Sequence, residues 1–504
     1  MLKIKKAATA VTAAVATIGL AACNAGSSDS SGSGSNGGSL TVALTGPPAN
    51  LDFTTTAGAA IPQALMGNVY ESLLKLNQEG ELEPLLAKEW KVSEDRKKVT
   101  FTLEPDVKFS NGEDFTADDV KFSLERVQSD AWSSGMKHKM DVVDKVTVNS
   151  DTEVEVALKR PSNAWLYDMT THVGAMFDEN GVDDLGNTAV GTGPFEVEVW
   201  KPNEEISFKA RGDYWGDGPK LEKAKLKYFS EATATTNALK SGDVDVVYNL
   251  QAPALLKAFE NDEGYEVHNG ESTGKLILSM NNRLAPFKDK KVRQAVLYAI
   301  DRKGLMDAAW HGNGTLVGSP VAPSDPYYED HTDKYQHDPQ KAKKLLKEAG
   351  AENIDITFTV PTRPYAAAVS EIVVDQLKEV GINAKIKSSE FPAKWLEDVF
   401  NNHDYEMSII LAVEQRDLLT MFNDPDYYIG YDNSKIKDLA SKADAADEDG
   451  YIEGMKEIVD IITDDAPVDT LFVFPNTVIT RSGVSGIPMN AVTDGLFLGD
   501  AQAE

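Results

Sequence analysis

The sequence predicts a mixed α/β fold divided among several domains, and three observations carry that prediction. Segments in which apolar and polar residues alternate with period two are interleaved with segments of helical period that bring their own caps. Residues 354–411 string three such strands and two such helices together, the order a parallel sheet needs. The chain of 504 residues exceeds the roughly 100–200 residues of one domain. Its 41% hydrophobic content is that of a globular protein. With 50 Lys and Arg against 80 Asp and Glu the formal charge is −30, so no nucleic acid is expected as a partner.

The chain opens with Lys3, Lys5 and Lys6, continues through an uncharged run of small residues from Ala7 to Leu20, and closes the run with Leu20-Ala21-Ala22-Cys23. This is a secretory signal with a lipoprotein cleavage box, so residues 1–22 are expected to be removed and Cys23 to carry lipid. The apolar run is shorter than the roughly 20 residues of a membrane-spanning helix, and no later stretch reaches that length. Cys23 is the one cysteine, so no disulfide is available. Loss of the three lysines takes the mature charge to −33, 47 basic against 80 acidic residues. Residues 24–38 are Gly or Ser at 11 of 15 positions and read, with Cys23, as a flexible tether over 23–38.

From there the elements follow in order. Residues 40–44 form a first strand, and 99–103 and 154–158 alternate as half-buried strands do. Between them Thr116 caps a helix with Asp119 in its first turn and Ala117, Val120, Leu124 and Val127 on one face. The turn Gly191-Thr192-Gly193-Pro194 enters a strand over 195–200. On 291–301 a core stripe of Val292, Ala295, Val296, Ala299 and Ile300 precedes Asp301, placed to cap the next helix. Asp338 and Pro339 open a helix that Gly350 stops. Ile354, Ile356, Phe358 and Val360 then share a strand face; a helix carrying Val369, Val373 and Leu377 ends at Gly381, and 382–386 resumes the alternation. A helix led by Pro392 with Trp395, Leu396 and Val399 leads to a strand over 405–411, completing a βαβαβ unit.

Catalytic patterns are sparse. Gly270-Glu271-Ser272-Thr273-Gly274 matches the GxSxG string, yet a strand over 275–280 follows where a nucleophile elbow needs a helix, so a turn is expected. Residues 445–456 resemble a calcium loop only at Asp447, Asp449 and Gly450, with Ala445 and Lys456 where ligands belong. The seven histidines form no HExxH and no i, i+4 pair, and neither a dinucleotide fingerprint nor a P-loop is found. No cofactor, no metal and no enzymatic activity are expected.

Several segments resemble the family-5 extracellular solute-binding proteins of ABC importers, the group that includes oligopeptide-, dipeptide- and nickel-binding proteins. The resemblance begins at Asn50-Leu51-Asp52 and Val69-Tyr70-Glu71-Ser72-Leu73, and sharpens at Val107-Lys108-Phe109-Ser110-Asn111-Gly112-Glu113. It continues through Gly191-Thr192-Gly193-Pro194-Phe195, Tyr214-Trp215-Gly216 and Ser241-Gly242-Asp243-Val244-Asp245. Most specific is Val292-Arg293-Gln294-Ala295-Val296 with Tyr298-Ala299-Ile300-Asp301-Arg302. The resemblance implies a two-lobed, periplasmic-binding-protein-like fold of type II, cluster C-like, with an extra inserted domain and the ligand in a cleft that closes by hinge motion. Projected onto this chain, lobe I covers 39–52, 187–275 and 475–504, the insert 53–186 and lobe II 276–474. The motifs themselves read as packing elements of that scaffold.

The same resemblance implies a monomeric receptor on the extracytoplasmic face of the cell membrane, held there by lipid, that hands a peptide or similar zwitterionic solute to an ABC permease and its ATPase. Peptide-binding relatives carry a Gly-Trp and an Asp-Pro segment after the strand matching 405–411; here Glu414-Gln415-Arg416-Asp417 stands instead. Glu414 or Asp417 is suited to an ammonium, and Arg416 to a carboxylate. The residues expected at the ligand are Glu414, Arg416, Asp417, Tyr70, His172 and Trp395. Arg416→Ala or Glu414→Ala is expected to weaken binding with little change in stability. The alternatives are a secreted hydrolase using Ser272 and a surface sensory or structural protein that keeps the fold.

Overall fold

The computed structural model describes residues 38–134 and 136–503. The signal sequence, Cys23 and the tether up to residue 37 lie outside the described residues, and Gly38 already belongs to the first strand.

Three sheets organise the rest. The largest has seven strands, in spatial order Tyr265–Gly270, Asn476–Arg481, Val246–Val247, Gly38–Thr45, Leu221–Phe229, Glu205–Ala210 and Phe195–Lys201. Gly38–Thr45 lies at its centre, parallel to both neighbours, which is why Leu40, Val42, Ala43 and Leu44 are all buried. A five-stranded sheet runs Ile382–Ser389, Ile354–Pro361, Met407–Ala412, Lys275–Met280 and Val468–Val473. Its first three strands are the parallel βαβαβ unit expected from the alternation, and the last two add antiparallel. Tyr405, expected inside the third of these strands, precedes it; its carbonyl accepts the Asn281 side-chain amide at 3.0 Å in place of a ladder partner. A four-stranded antiparallel sheet, Ala87–Val92, Lys98–Leu103, Glu153–Leu158 and Val143–Ser150, is covered by the helix Ala117–Gln128. Asp119 Oδ2 accepts the Thr116 amide at 2.8 Å there, and Ala117, Val120, Leu124 and Val127 are all buried.

One apolar core runs from a face of the seven-stranded sheet into the four-stranded sheet, whereas the five-stranded sheet has cores of its own on both faces. Between the two large sheets the chain crosses twice, through 271–274 and through 474–475. The crossings hold each other: the Phe474 amide donates to the Gly274 carbonyl at 2.8 Å and the Ser272 hydroxyl to the Phe474 carbonyl at 2.5 Å.

Candidate functional site

The motif residues build the frame of the site. The buried Glu71 carboxylate accepts from Thr192 Oγ1 at 2.9 Å, Tyr214 OH at 2.7 Å and Trp215 Nε1 at 3.0 Å, drawing three of the motifs onto one acid. Desolvation raises its pKa against those hydrogen bonds. Arg211 clamps the same corner through the carbonyls of Gly191, Gly193, Lys108 and Phe109. Gly193 has no alternative residue, since a Cβ would lie 2.5 Å from the Asn68 carbonyl oxygen. Arg293 binds the carbonyls of Ala466, Phe287 and Asp465 and is likewise structural.

Above the crossings lies a cavity of about 310 Å³. Its floor is Ser272, Thr273, Gly274 and Phe474; one wall is formed by Leu411 of the strand Met407–Ala412 and by Val413, Glu414 and Gln415 just past it. Facing it stand Met136, Lys139 and His172 from the segment between residues 53 and 186, with Asp494 from the C-terminal stretch. Apolar surface from Leu411, Val413, Phe474, Met136 and Pro62 makes up most of the lining, with a few charges set into it.

Those charges are unequal. Lys139 Nζ is 2.9 Å from Asp168. Burial alone would depress the ammonium; the Asp168 carboxylate, with Glu414 and Asp494 beyond it, outweighs that and holds its pKa above the ordinary lysine value. Asp494 Oδ2 accepts the His172 amide at 3.0 Å and lies 2.6 Å from His172 Nδ1. Burial pushes Asp494 up, and the His172 contacts overcome it, so the carboxyl sits below its usual range. Glu414 differs: it is exposed to the cavity, among the described residues no side chain hydrogen-bonds its carboxylate, and the surrounding protein raises its pKa, opposed mainly by Lys139.

The expected site residues separate on this map. Glu414 and His172 line the cavity. Asp417 is turned inward, 3.0 Å from Lys275, whose own side chain is fully buried at the start of its strand. Arg416, at φ 49°, leans over the Tyr167 ring, 3.3 Å from its centre, and donates to the Gly80 carbonyl at 3.2 Å, away from the cavity lining. Tyr70 is sealed in the core against Phe53 and Phe177, and Trp395 donates its indole N–H to Ser408 Oγ at 3.0 Å inside the five-stranded sheet's core. Neither aromatic reaches the cavity, because each fills an apolar core. The sequence reading passed over Lys139, Asp168 and Asp494. Ser272 lies in the crossing, bridged to Ala491, where the sequence led to a turn; its Oγ accepts the Gly274 amide at 3.0 Å and a strand follows at Lys275–Met280, with no helix to form an elbow. Outside the cavity, Glu329, His331 and Asp460 place possible ligand atoms within 4.8 Å of one another, with the Lys456 ammonium 3.7 Å from Glu329.

Two sheets joined by a double crossing, with a part-open, mostly apolar cavity above it and a few unequal charges in the wall, form the arrangement of a binding protein for small solutes. The model of the bacterial extracellular solute-binding proteins, family 5, matches residues 81–436, and the chain belongs to that family. It is 29% identical over 350 residues to a nickel-binding periplasmic protein of Escherichia coli, covering 64% of this chain and 66% of that one. A glutathione-binding protein of Escherichia coli is 29% identical over 352 residues, 67% of this chain and 68% of the relative. The alignments thus span about two thirds of these relatives' length. The oligopeptide-binding protein of Bacillus subtilis, solved with a nonapeptide, superposes with a TM-score of 0.80 at 21% identity over 93% of this chain and 99% of the other, which shows the shared fold. Among the described residues no helix is long and apolar enough to cross a membrane.

Proposed function

We propose that the protein is the lipid-anchored receptor of an ABC importer, capturing a short peptide or similar zwitterionic solute and delivering it to the permease. Residues 39–52, 187–275 and 475–504 act as one lobe, 276–474 as the other and 53–186 as an insert on the first, with the double crossing at 271–274 and 474–475 as the hinge. The single observation that carries the ligand class is Glu414, the cavity carboxylate without a partner among the described residues. An ammonium offers it a charge-assisted hydrogen bond, while the apolar lining takes the rest of the molecule. Lys139 and His172 already have carboxylate partners, so a purely anionic solute finds no free cation among the charges that line the cavity. Family membership supports delivery to a permease, and the box ending at Cys23 supports the anchor.

A thermal-shift screen tests the reading, since a ligand that binds only the native state raises the melting midpoint. Dipeptides and tripeptides with a free amino group are expected to raise it, and the same peptides N-acetylated are expected to leave it unchanged. Equal shifts from acetylated and free peptides would remove Glu414 from the site, and no shift from any peptide, opine-like conjugate or metal chelate would remove the receptor function.

A further inference from the structure

Asp444 lies near the end of the helix Lys437–Ala445, which packs with the helix Glu448–Asp465 beside the five-stranded sheet. Its carboxylate is 7% exposed, yet its hydrogen-bond partners come from residues 160–164, just past the strand Glu153–Leu158 of the four-stranded sheet. The Ala164 amide donates to Oδ1 at 3.0 Å, the Ser162 hydroxyl lies 2.8 Å from Oδ2, and the Arg160 guanidinium completes the set. Beside them Asn163 donates across the same seam. Its amide and Nδ2 donate to the Asp444 carbonyl at 3.0 Å, and Nδ2 also to the Ala446 carbonyl at 2.7 Å.

The same short segment continues into the cavity wall. Ala164–Asp168 is a helix that carries Tyr167, on which Arg416 rests, and Asp168, which holds Lys139. One acid on the five-stranded body therefore grips the element that sets both Lys139 and the loop bearing Glu414.

We propose that Asp444 is a positioning residue for ligand capture. It clasps the insert to the second lobe and sets affinity through the fraction of closed molecules, without touching the ligand. The consequence for affinity rests on the receptor function proposed above, whereas the closure itself does not. A polar clasp suits a seam that must reopen, because water replaces each hydrogen bond on parting and only a modest net stability is lost per bond. An apolar seam of equal size would resist opening more strongly. A ligand that binds the closed form has its apparent Kd raised in proportion as the closed fraction falls.

Small-angle scattering of the full chain without added ligand reads the closure directly. Asp444→Ala is expected to enlarge the radius of gyration and to speed amide exchange at the crossings 271–274 and 474–475, with Asp444→Asn intermediate. The exposed-side variant Arg160→Ala with Ser162→Ala should move both readouts the same way and decides the matter if Asp444→Ala does not fold. Unchanged scattering in these variants overturns the clasp, as does a lower melting midpoint with unchanged scattering, which would make Asp444 merely structural. With alanyl-alanine as probe the apparent Kd should rise about tenfold for a tenfold loss of closed molecules. If alanyl-alanine binds no variant and not the parent, the receptor reading loses support while the scattering still judges the clasp.

Discussion

The two walls of the cavity carry the same kinds of side chain and use them differently. On the side of Lys139 and His172 every charge is answered by a neighbour: Lys139 by Asp168 at 2.9 Å, His172 by Asp494 at 2.6 Å. On the opposite wall the loop after Met407–Ala412 sends one acid inward and one outward. Asp417 is buried against Lys275 at 3.0 Å, while Glu414 faces the cavity with no side-chain hydrogen bond among the described residues. The two acids stand only three positions apart in the chain. A carboxylate already compensated by the fold is part of the scaffold; one that the fold leaves uncompensated is available to a ligand.

The sharpest way to break that distinction is Lys275→Met. The lysine is the direct ion-pair partner of Asp417 and faces buried Asp325, whose pKa burial lifts to about 6 against the pull of Lys275 and Arg416. Removing it strands two acids in the interior, and such losses cost about 3–5 kcal/mol. Denaturant unfolding should show that fall; a change below about 1 kcal/mol would mean that Asp417 is not a scaffold charge.

Glu414→Gln tests the other half. Affinity for short free-amino peptides should drop by roughly tenfold to a hundredfold, the scale of about 1.5–3 kcal/mol for a hydrogen bond to a charged group, with stability changed by less than about 0.5 kcal/mol. Because the carboxyl must be ionised to hold an ammonium, and its pKa is raised above the ordinary 4.5, parental affinity should fall with pH at a midpoint above 4.5. The Gln variant should be flat over that range by calorimetric titration.

Asp494 gives a smaller effect of opposite sign. Its folded pKa lies below the unfolded carboxylate value of about 3.9. It therefore contributes stability above about pH 4 that is lost as pH falls through the folded value. His172→Phe removes the side-chain contact that lowers it and should therefore lower the melting midpoint modestly at neutral pH, the deficit vanishing as pH falls through the folded value, where Asp494 is protonated in both proteins.

These contrasts explain what was legible in the sequence. Periodicity reported the parallel unit from Ile354 to Ala412 because Ile354–Pro361 and Ile382–Ser389 begin with a buried and an exposed face in alternation, while the central strand Met407–Ala412 reads as a nearly continuous apolar run. The loop with Glu414 was found because it follows a strand that the family resemblance aligns. Tyr70 and Trp395 were expected at the ligand and sit in cores, since an aromatic side chain looks the same in sequence whether it fills a core or a cavity. Lys139 and Asp494 lie in segments without periodicity, and His172 meets Asp494 across 322 residues of chain. Pairing over such a distance leaves no local pattern. Asp417 and Glu414 were equally suited to an ammonium until the buried Lys275 distinguished them, and a lysine at a strand's first position gives no sign in sequence that it is buried.

Arg416 refines the comparison most finely, because it belongs to the same loop and yet reaches no ligand surface. Its side chain lies over Tyr167 and binds the Gly80 carbonyl, and its backbone is in the left-handed region at φ 49°. Two opposing contributions follow. Truncation removes a stacked cation worth about 0.5–1 kcal/mol, whereas a glycine at this position would relieve about 1 kcal/mol of backbone strain. Arg416→Ala keeps the strain and loses the contacts, so peptide affinity should fall about threefold as the loop under Glu414 loosens. Arg416→Gly should restore most of the stability that Ala loses and none of the affinity, because the side-chain prop remains absent. If Gly and Ala behave alike in both stability and affinity, the left-handed backbone is not strained and only the Tyr167 contact matters; if neither changes affinity, Glu414 holds its place without Arg416.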